Sequence, residues 1–343
     1  MKKLWAALGI SIVALLGIFF DSQTVQAENL NFSVSATQAD NQIDKKITYF
    51  DLLVKPDQGQ DLTIKIQNTD SQENKYRVSI NRAGTNRNGV IDYSTHGVAL
   101  DKSLNPKLNL ESLVPAPTTV KVPANSTKEY TFHLNVPKKS FSGVILGGVR
   151  VQKVQDDDNK KSKGVSIVNQ YAYVIGLQLQ SNQDYVAPNM KLLNVKAKQY
   201  NGRNYINAYL QNPKPTIMHD LSIKARVNTK GTKDKILSTT KKMMTMAPNS
   251  NFGFPIETNG KTLKSGKYTL ILDATAEKGK YHWHFSRDFA VTNKQASKLD
   301  KTSVDTHSEP NYFMWIVIAI IVILILLCII VYLNQRNQKN RRK

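Results

Sequence analysis

Apolar side chains recur at every second position through much of this chain, and that period decides what it can fold into. Leu62, Ile64 and Ile66 alternate in "DLTIKIQN", Tyr76, Val78 and Ile80 in "KYRVSIN", and Tyr130, Phe132, Leu134 and Val136 in "EYTFHLNV". The same period returns in "YINAYLQN" (Ile206, Ala208, Leu210), "LSIKARVN" (Leu221, Ile223, Ala225, Val227) and "KYTLILDATA" (Tyr268, Leu270, Leu272). Successive side chains of a strand point to opposite faces, so each segment predicts a strand with one buried face. No comparable helical stripe appears outside two long apolar segments near the ends. Asn, Gly and Pro punctuate the runs, as in "GTNRNGVIDY" and "LQNPKPT", which is the turn chemistry of a β-sandwich.

The pattern occurs twice. "IKIQN" ends at Asn68 and "AYLQN" at Asn212, each followed by a short polar link and another alternating strand. Further on, "VPANSTKEYTF" and "MAPNSNFGF" each place an Asn-Ser turn before an aromatic strand. The fold class expected is all-β: two tandem immunoglobulin-like β-sandwich domains, then one C-terminal transmembrane helix.

The ends set the compartment. "MKK", an apolar core and "VQA" before Glu28 have the order of a secretory signal, assigned to residues 1–27. "YFMWIVIAIIVILILLCIIVYL", Tyr312 to Leu333, is long enough at ~1.5 Å per residue to cross a core of roughly 30 Å. Tyr312, Phe313, Trp315 and Tyr332 sit at its ends, and residues 334–343 carry five basic side chains and no acid, which predicts a cytoplasmic tail. No LPxTG-like motif precedes the helix. The protein is therefore expected in the cell membrane, crossing once, with the ectodomain facing the cell wall. Cys328, the single cysteine, lies within the apolar segment, so the ectodomain must hold together without a disulfide. Of the formal net charge of +21, the signal contributes +1 and the tail +5, leaving +15 outside. An exported cationic surface points to wall polymers, acidic glycans or a membrane face as partners and away from nucleic acid.

"FSGVILGGVRVQ" puts three glycines into an apolar run. A phosphate-binding loop sets its glycines between a strand and a helix. Here Val149 and Val151 go on alternating, which predicts glycines inside a strand, with a β-bulge at Gly147-Gly148 or a close approach by another backbone. "VSIVNQYAYVIGLQLQ" then keeps Val165, Ile167, Tyr171, Tyr173, Ile175, Leu177 and Leu179 on one parity, and the two runs read as a long hairpin with a charged tip. Asp156, Asp157 and Asp158 at that tip lack the alternating spacing of a calcium loop, and Lys153, Lys160, Lys161 and Lys163 compete with a cation.

"NQIDKKITYFDLLVKPDQGQDLTIKIQN", "AGTNRNGVIDYS" and "FSGVILGGVRV" resemble the N-terminal peptidoglycan-binding domain of the WxL-interacting proteins of Gram-positive bacteria. "NQYAYVIGLQL", "NAYLQNPKPTIMHDLSIKARV" and "MAPNSNFGFPIE" through "LKSGKYTLILDATAEKGKYHWHFSRDFAV" resemble that family's C-terminal, host-binding domain. The resemblance implies a membrane-anchored surface scaffold that binds peptidoglycan and WxL-domain proteins and contributes to adhesion to host or extracellular-matrix protein ligands. The alternative is a membrane-anchored sensor or accessory subunit of a cell-envelope enzyme system. Family convention starts the second domain near residue 160, whereas hairpin pairing puts the boundary near Tyr185. The division expected is 28–185, 186–292, a stalk at 293–311, the helix at 312–333 and the tail.

Catalytic chemistry finds no setting: there is no nucleophile elbow, and no catalytic residue, metal site or cofactor is assigned. "YHWHF" aligns His282 and His284 on one face and Tyr281, Trp283 and Phe285 on the other; two histidines do not make a metal site, and Trp283 is expected in the core. His133 is expected to point outward from the strand into solvent. Glycan binding asks for aromatic faces beside amides or carboxylates. Tyr49, Phe50, Asn86, Asn88, Asp92 and Tyr93 supply both near strand ends and are the candidate residues, against the alternative of an ordinary Asn-Gly hairpin.

Overall fold

The computed structural model describes residues 31–155, 170–304 and 312–340. The signal at 1–27, the hairpin tip with Asp156–Asp158, Val165 and Ile167, residues 305–311 of the stalk and the last three residues lie outside the described residues.

Alternation does what the period requires. Strands β1 (Phe32–Ala36), β3 (Gln60–Asn68) and β8 (Ser126–Leu134) form one sheet, in that order. A second sheet runs β2 (Phe50–Leu53), β10 (Ala172–Gln180), β9 (Ile145–Lys153), β4 (Asn74–Arg82), β7 (Thr118–Val122). All pairs are antiparallel except β2 with β10. Leu62, Ile64 and Ile66 from the first sheet and Ile80, Val149 and Leu177 from the second share one core. The next unit repeats the scheme. One of its sheets holds β11 (Lys191–Tyr200), β12 (Arg203–Asn212) and β15 (Ser250–Glu257). The other runs β14 (Lys235–Met246), β13 (Met218–Thr229), β16 (Gly266–Ala276), β17 (Tyr281–Val291), around a core with Ile206, Ile223, Phe254 and Leu272. Among the described residues β10 pairs only within the first unit, so the hairpin with β9 forms there.

The repeat seen in sequence is a repeated hydrogen-bonded corner. Asn68 is fully buried; its amide donates to the carbonyls of Gln72 (2.9 Å), Val122 (3.1 Å) and Pro123 (2.9 Å), and its Oδ1 accepts from the Asp70 N–H (3.1 Å). Asn212, also fully buried, donates to the carbonyls of Thr216 (2.7 Å) and Ala247 (3.1 Å) and accepts from the Lys214 N–H (3.1 Å). Each faces the serine of its Asn-Ser turn across the ladder, Ser126 and Ser250, and the turn asparagines share a left-handed backbone, Asn125 at φ 48° and Asn249 at φ 46°. Asparagine tolerates that region because its short polar side chain can bond locally. Satisfying carbonyls and an amide that would otherwise be buried unpaired is worth roughly 1–3 kcal/mol per group.

The glycines of β9 lie in a strand, and of the two expectations for Gly147-Gly148 the bulge is not there. Both residues keep unbroken register with β4 (Arg82, Asn81) and with β10 (Leu177, Gly176), and neither has a positive φ. Close approach explains them instead. A Cβ on Gly147 would fall within 3.0 Å of the Asn81 carbonyl oxygen and of Leu110, while one on Gly148 would meet Val174 Cγ1 at 2.7 Å and the Tyr93 ring at 3.2 Å.

A short hairpin, β5 (Gly84–Thr85) and β6 (Ile91–Asp92), leaves the first unit and straps the second. The Thr245 N–H donates to the Gly89 carbonyl (2.7 Å) and the Ala247 N–H to Thr85 Oγ1 (2.9 Å), and the Arg87 guanidinium lies 3.9 Å from the Tyr200 ring centroid. Asn249 closes a two-way pair with the backbone of Asn105 (3.0 and 2.9 Å). Ala83, Leu146 and Ala247 form a small buried cluster at this junction, with Ile91, Tyr93, Val144 and Ile217 packed around it.

The stalk does not begin at 293. Thr292 caps helix α1 (Asn293–Lys301) through a capping box with Gln295, and Ala296 is buried in the second core. Gln199 Nε2 donates to the Leu299 carbonyl (2.8 Å) and Asn204 Nδ2 to Asp300 (3.0 Å), so residues 293–304 pack on the second unit. Helix α2 covers Tyr312–Asn340. Among the described residues no helix is long and apolar enough to cross a membrane. The side chains described in α2, those of 316–330, are all exposed.

Candidate glycan-binding groove

The glycines of β9 and β10 create a shallow place on the outer face of the five-stranded sheet, and two tyrosines lie over it. Gly148 pairs with Gly176 across the strands; the Tyr93 ring lies over Gly148, and Tyr49 is 3.6 Å from where a Gly176 Cβ would stand. A groove of roughly 850 Å³ opens here, lined by Tyr49, Tyr93, Gln38, Gln178, Val174 and Ile217 among others. Ile217 comes from the second unit, so the groove is completed by both. Tyr49 is 43% exposed, whereas Tyr93 is half-buried, and burial followed by the neighbouring Tyr49 phenol holds its pKa above the ordinary tyrosine value. Gln178 Nε2 donates to Asp51 Oδ1 (2.8 Å), and Gln42 Nε2 donates to the Tyr49 carbonyl (2.8 Å), fixing the turn that carries Tyr49. Flat rings for C–H faces beside amides for hydroxyls are a set that can hold a sugar.

The six candidate residues divide. Tyr49 and Tyr93 meet in the groove. Phe50 lines its floor but is fully buried in the core. Asn86, Asn88 and Asp92 do not line it. Asn86 Oδ1 accepts the N–H groups of Asn88 (2.9 Å) and Val90 (3.2 Å) and so builds the strap's turn, Asn88 is exposed, and Asp92 accepts from Ser94 N–H (3.1 Å) and Oγ (2.7 Å).

A second aromatic grouping lies on the other unit. Trp283 is half-buried against the edge of the core rather than inside it, and stacks beside Tyr281 with centroids 6.2 Å apart and planes 20° apart. Tyr185, from the connection between β10 and β11, meets Tyr281 hydroxyl to hydroxyl at 2.5 Å. No spacing signal joins Tyr185 to this strand, which is why the sequence did not point to it. Among the described residues no group of three candidate metal ligands gathers, at the histidines opposite or elsewhere. His284 bonds Asp273 (2.6 Å), and His133, expected to be merely solvated, bonds Asp61 (2.7 Å).

Known proteins bear on these two units. No curated protein matches the chain. Among solved structures it is similar to a chain of a chaperone–tip adhesin complex of CFA/I fimbriae (10% identity, TM-score 0.29, covering 69% of this chain and 93% of the other). It is also similar to the YadV chaperone (10%, 0.26, 76% and 100%) and the Pseudomonas aeruginosa CupB2 chaperone (13%, 0.23, 67% and 92%). At such TM-scores these likenesses carry no argument. The family comparisons are of a different kind. The WxL Interacting Protein peptidoglycan binding domain matches residues 32–153, and the WxL Interacting Protein host binding domain matches residues 162–301, which places β10 in the second match although it pairs in the first unit. Both are binding domains, and in this order they span most of the chain, which belongs to the WxL-interacting protein family.

Proposed function

We propose that the chain is a membrane-anchored surface scaffold whose first unit holds peptidoglycan in the Tyr49–Tyr93 groove. The observation that carries this reading is the pair of tyrosine rings over the Gly148–Gly176 step, beside side-chain amides, in the unit that matches a peptidoglycan-binding family. In this reading both units are immunoglobulin-like sandwiches and the physical boundary lies near Tyr185, after β10. Residues 1–27 export the chain and Tyr312–Leu333 anchor it, supported by the apolar length, the aromatic flanks and the basic tail. WxL-domain proteins are held at the wall by this scaffold, and the second unit faces host or matrix ligands.

Co-sedimentation with purified sacculi tests the wall-binding role. Protein comprising residues 28–304 should pellet with sacculi and resist added salt, because stacking on aromatic rings is not screened as charge attraction is. Protein starting at residue 186 should stay in the supernatant. Protein ending at residue 185 loses Ile217 and exposes the junction around Leu146, so it should pellet more weakly than the two-unit form. Equal pelleting of all three would defeat the assignment.

A further inference from the structure

The row formed by Tyr185, Tyr281 and Trp283 has the marks of a site. Its polar handles are spent on holding it in place: the two tyrosine hydroxyls bond each other, and Trp283 Nε1 donates to Asn189 Oδ1 (3.2 Å). The rings are thereby fixed with respect to one another, and Tyr185 is 68% exposed. The Lys280 ammonium sits 5.2 Å from the Tyr185 centroid and 5.5 Å from that of Tyr281, and among the described residues it makes no ion pair. Glu277, next to it in the turn, directs its Oε1 to the His219 N–H (2.9 Å).

We propose that this row is a binding site for an acidic, pyranose-containing glycan, the sugar ring stacking on the aromatic faces and its carboxylate or sulfate meeting Lys280. Charge complementarity chooses the occupant. Among the described residues the Lys280 ammonium pairs with neither nearby carboxylate, Glu277 nor Asp184, and it stands on an expected ectodomain with a formal net charge of +15. Its surroundings are hydrophilic: Lys278, Lys280, His282 and Asp184 are exposed beside the ring residues in sequence, and such groups can bond a sugar's hydroxyls. The inference deepens the host-facing role proposed for the second unit, and it stands on geometry separate from the Tyr49–Tyr93 groove.

The test is calorimetric titration of the full chain in detergent with hyaluronan and chondroitin sulfate hexasaccharides, and with chitohexaose as a neutral probe. At least one acidic probe should bind, and chitohexaose more weakly. Tyr185→Ala should weaken acidic binding by about two- to tenfold, the range for losing one aromatic partner, at an unchanged melting temperature because the side chain is exposed. Tyr185→Phe keeps the ring and should retain most of the binding. Lys280→Gln should weaken it, whereas Lys107→Gln, an equal loss of charge on the first unit, should not. The proposal is overturned if neither acidic probe binds, if Tyr185→Ala binds like the parent, or if Lys107→Gln and Lys280→Gln lose equally. Binding to a deglycosylated matrix protein that Tyr185→Ala abolishes, without binding of either acidic probe, would also overturn it and assign the row to a protein partner. Matrix adhesion measured in parallel separates the two readings: acidic glycan bound at the row without adhesion upholds the site and removes only the host role.

Discussion

Gly147→Ala and Gly148→Ala add the same methyl to adjacent residues of β9, yet the two should fail in different ways. At Gly147 the new methyl enters the core side, within 3.0 Å of the Asn81 carbonyl oxygen and of Leu110, a fully buried side chain. The carbonyl belongs to the neighbouring strand of the ladder, so relief requires moving backbone. Overpacking of this kind costs about 1–3 kcal/mol, and Ala in place of Gly returns roughly 0.5–1 kcal/mol of strand preference. A net loss of about 1–2 kcal/mol follows, or roughly 2–8 °C in the melting temperature of a unit of this size. At Gly148 the methyl enters the outer face and meets side chains only, Val174 at 2.7 Å and Tyr93 at 3.2 Å. Val174 is 42% exposed and can rotate away, so the melting temperature should stay within about 2 °C of the parent. Tyr93, however, must lift from its shelf, and the groove changes shape. Differential scanning calorimetry and sacculus co-sedimentation, run on both variants, read the two effects. Gly147→Ala should melt lower and bind in proportion to its folded fraction, whereas Gly148→Ala should melt like the parent and bind worse. Equal melting of the two variants, or unchanged pelleting of Gly148→Ala, refutes the reasoning.

Asn68→Ala should destabilise the first unit by about 3 kcal/mol, because the Tyr76 hydroxyl and the Asn74 amide lose their buried acceptor together with the backbone groups, and Asn212→Ala the second by about 2 kcal/mol; urea midpoints check both, and unchanged midpoints would mean that the corners do not hold the units. The Tyr185 hydroxyl is pushed up to about 12, first by its hydrogen bond to Tyr281, then by lost hydration and the Tyr281 and Glu277 charges. Since that value is raised, the hydroxyl contact is intact below pH ~10 and is lost as pH rises from there through about 12. An absorbance titration of the parent against Tyr185→Phe should show the late midpoint, and Tyr281→Phe should bring it back toward the ordinary value; a midpoint indifferent to Tyr281→Phe contradicts the contact. Asp70, held low first by the Lys153 hydrogen bond and also by the Asn74 amide, should contribute stability that is fully present above pH ~4 and is lost as pH falls below it, so Asp70→Asn should flatten the acid limb of the stability curve. Protease added to wall-stripped intact cells should remove everything before Tyr312 and leave a small fragment carrying the basic tail; a fully protected chain overturns the exported topology.

The strands were legible because alternation is a local signal: Leu62, Ile64 and Ile66 declare a buried face within five residues, and the structure buries that face. The two corners were legible as a repeated Asn and a repeated Asn-Ser pair, although not that the first asparagine bonds the carbonyls ahead of the second. Helix α1 was missed because nine residues give one buried side chain, Ala296; the Thr292–Gln295 capping box was its only local sign. The strap's role was hidden for a different reason. "GTNRNGVIDY" reads correctly as an Asn-Gly hairpin, but what Gly89 and Arg87 touch lies more than a hundred residues away, at Thr245 and Tyr200. Asn86 and Asp92 stand outside the groove and spend their side chains on local turns, which a sequence cannot distinguish from offering them to a ligand.

The groove itself is tested most directly by the affinity of residues 28–304 for a soluble peptidoglycan fragment, measured side by side for the parent, the Tyr49→Ala/Tyr93→Ala double variant and Asn88→Ala. Loss of two stacking rings should weaken binding by about tenfold or more, while Asn88→Ala, which alters an exposed turn outside the groove, should bind like the parent. A double variant that binds normally, with Asn88→Ala impaired, would move the site to the strap and contradict the account.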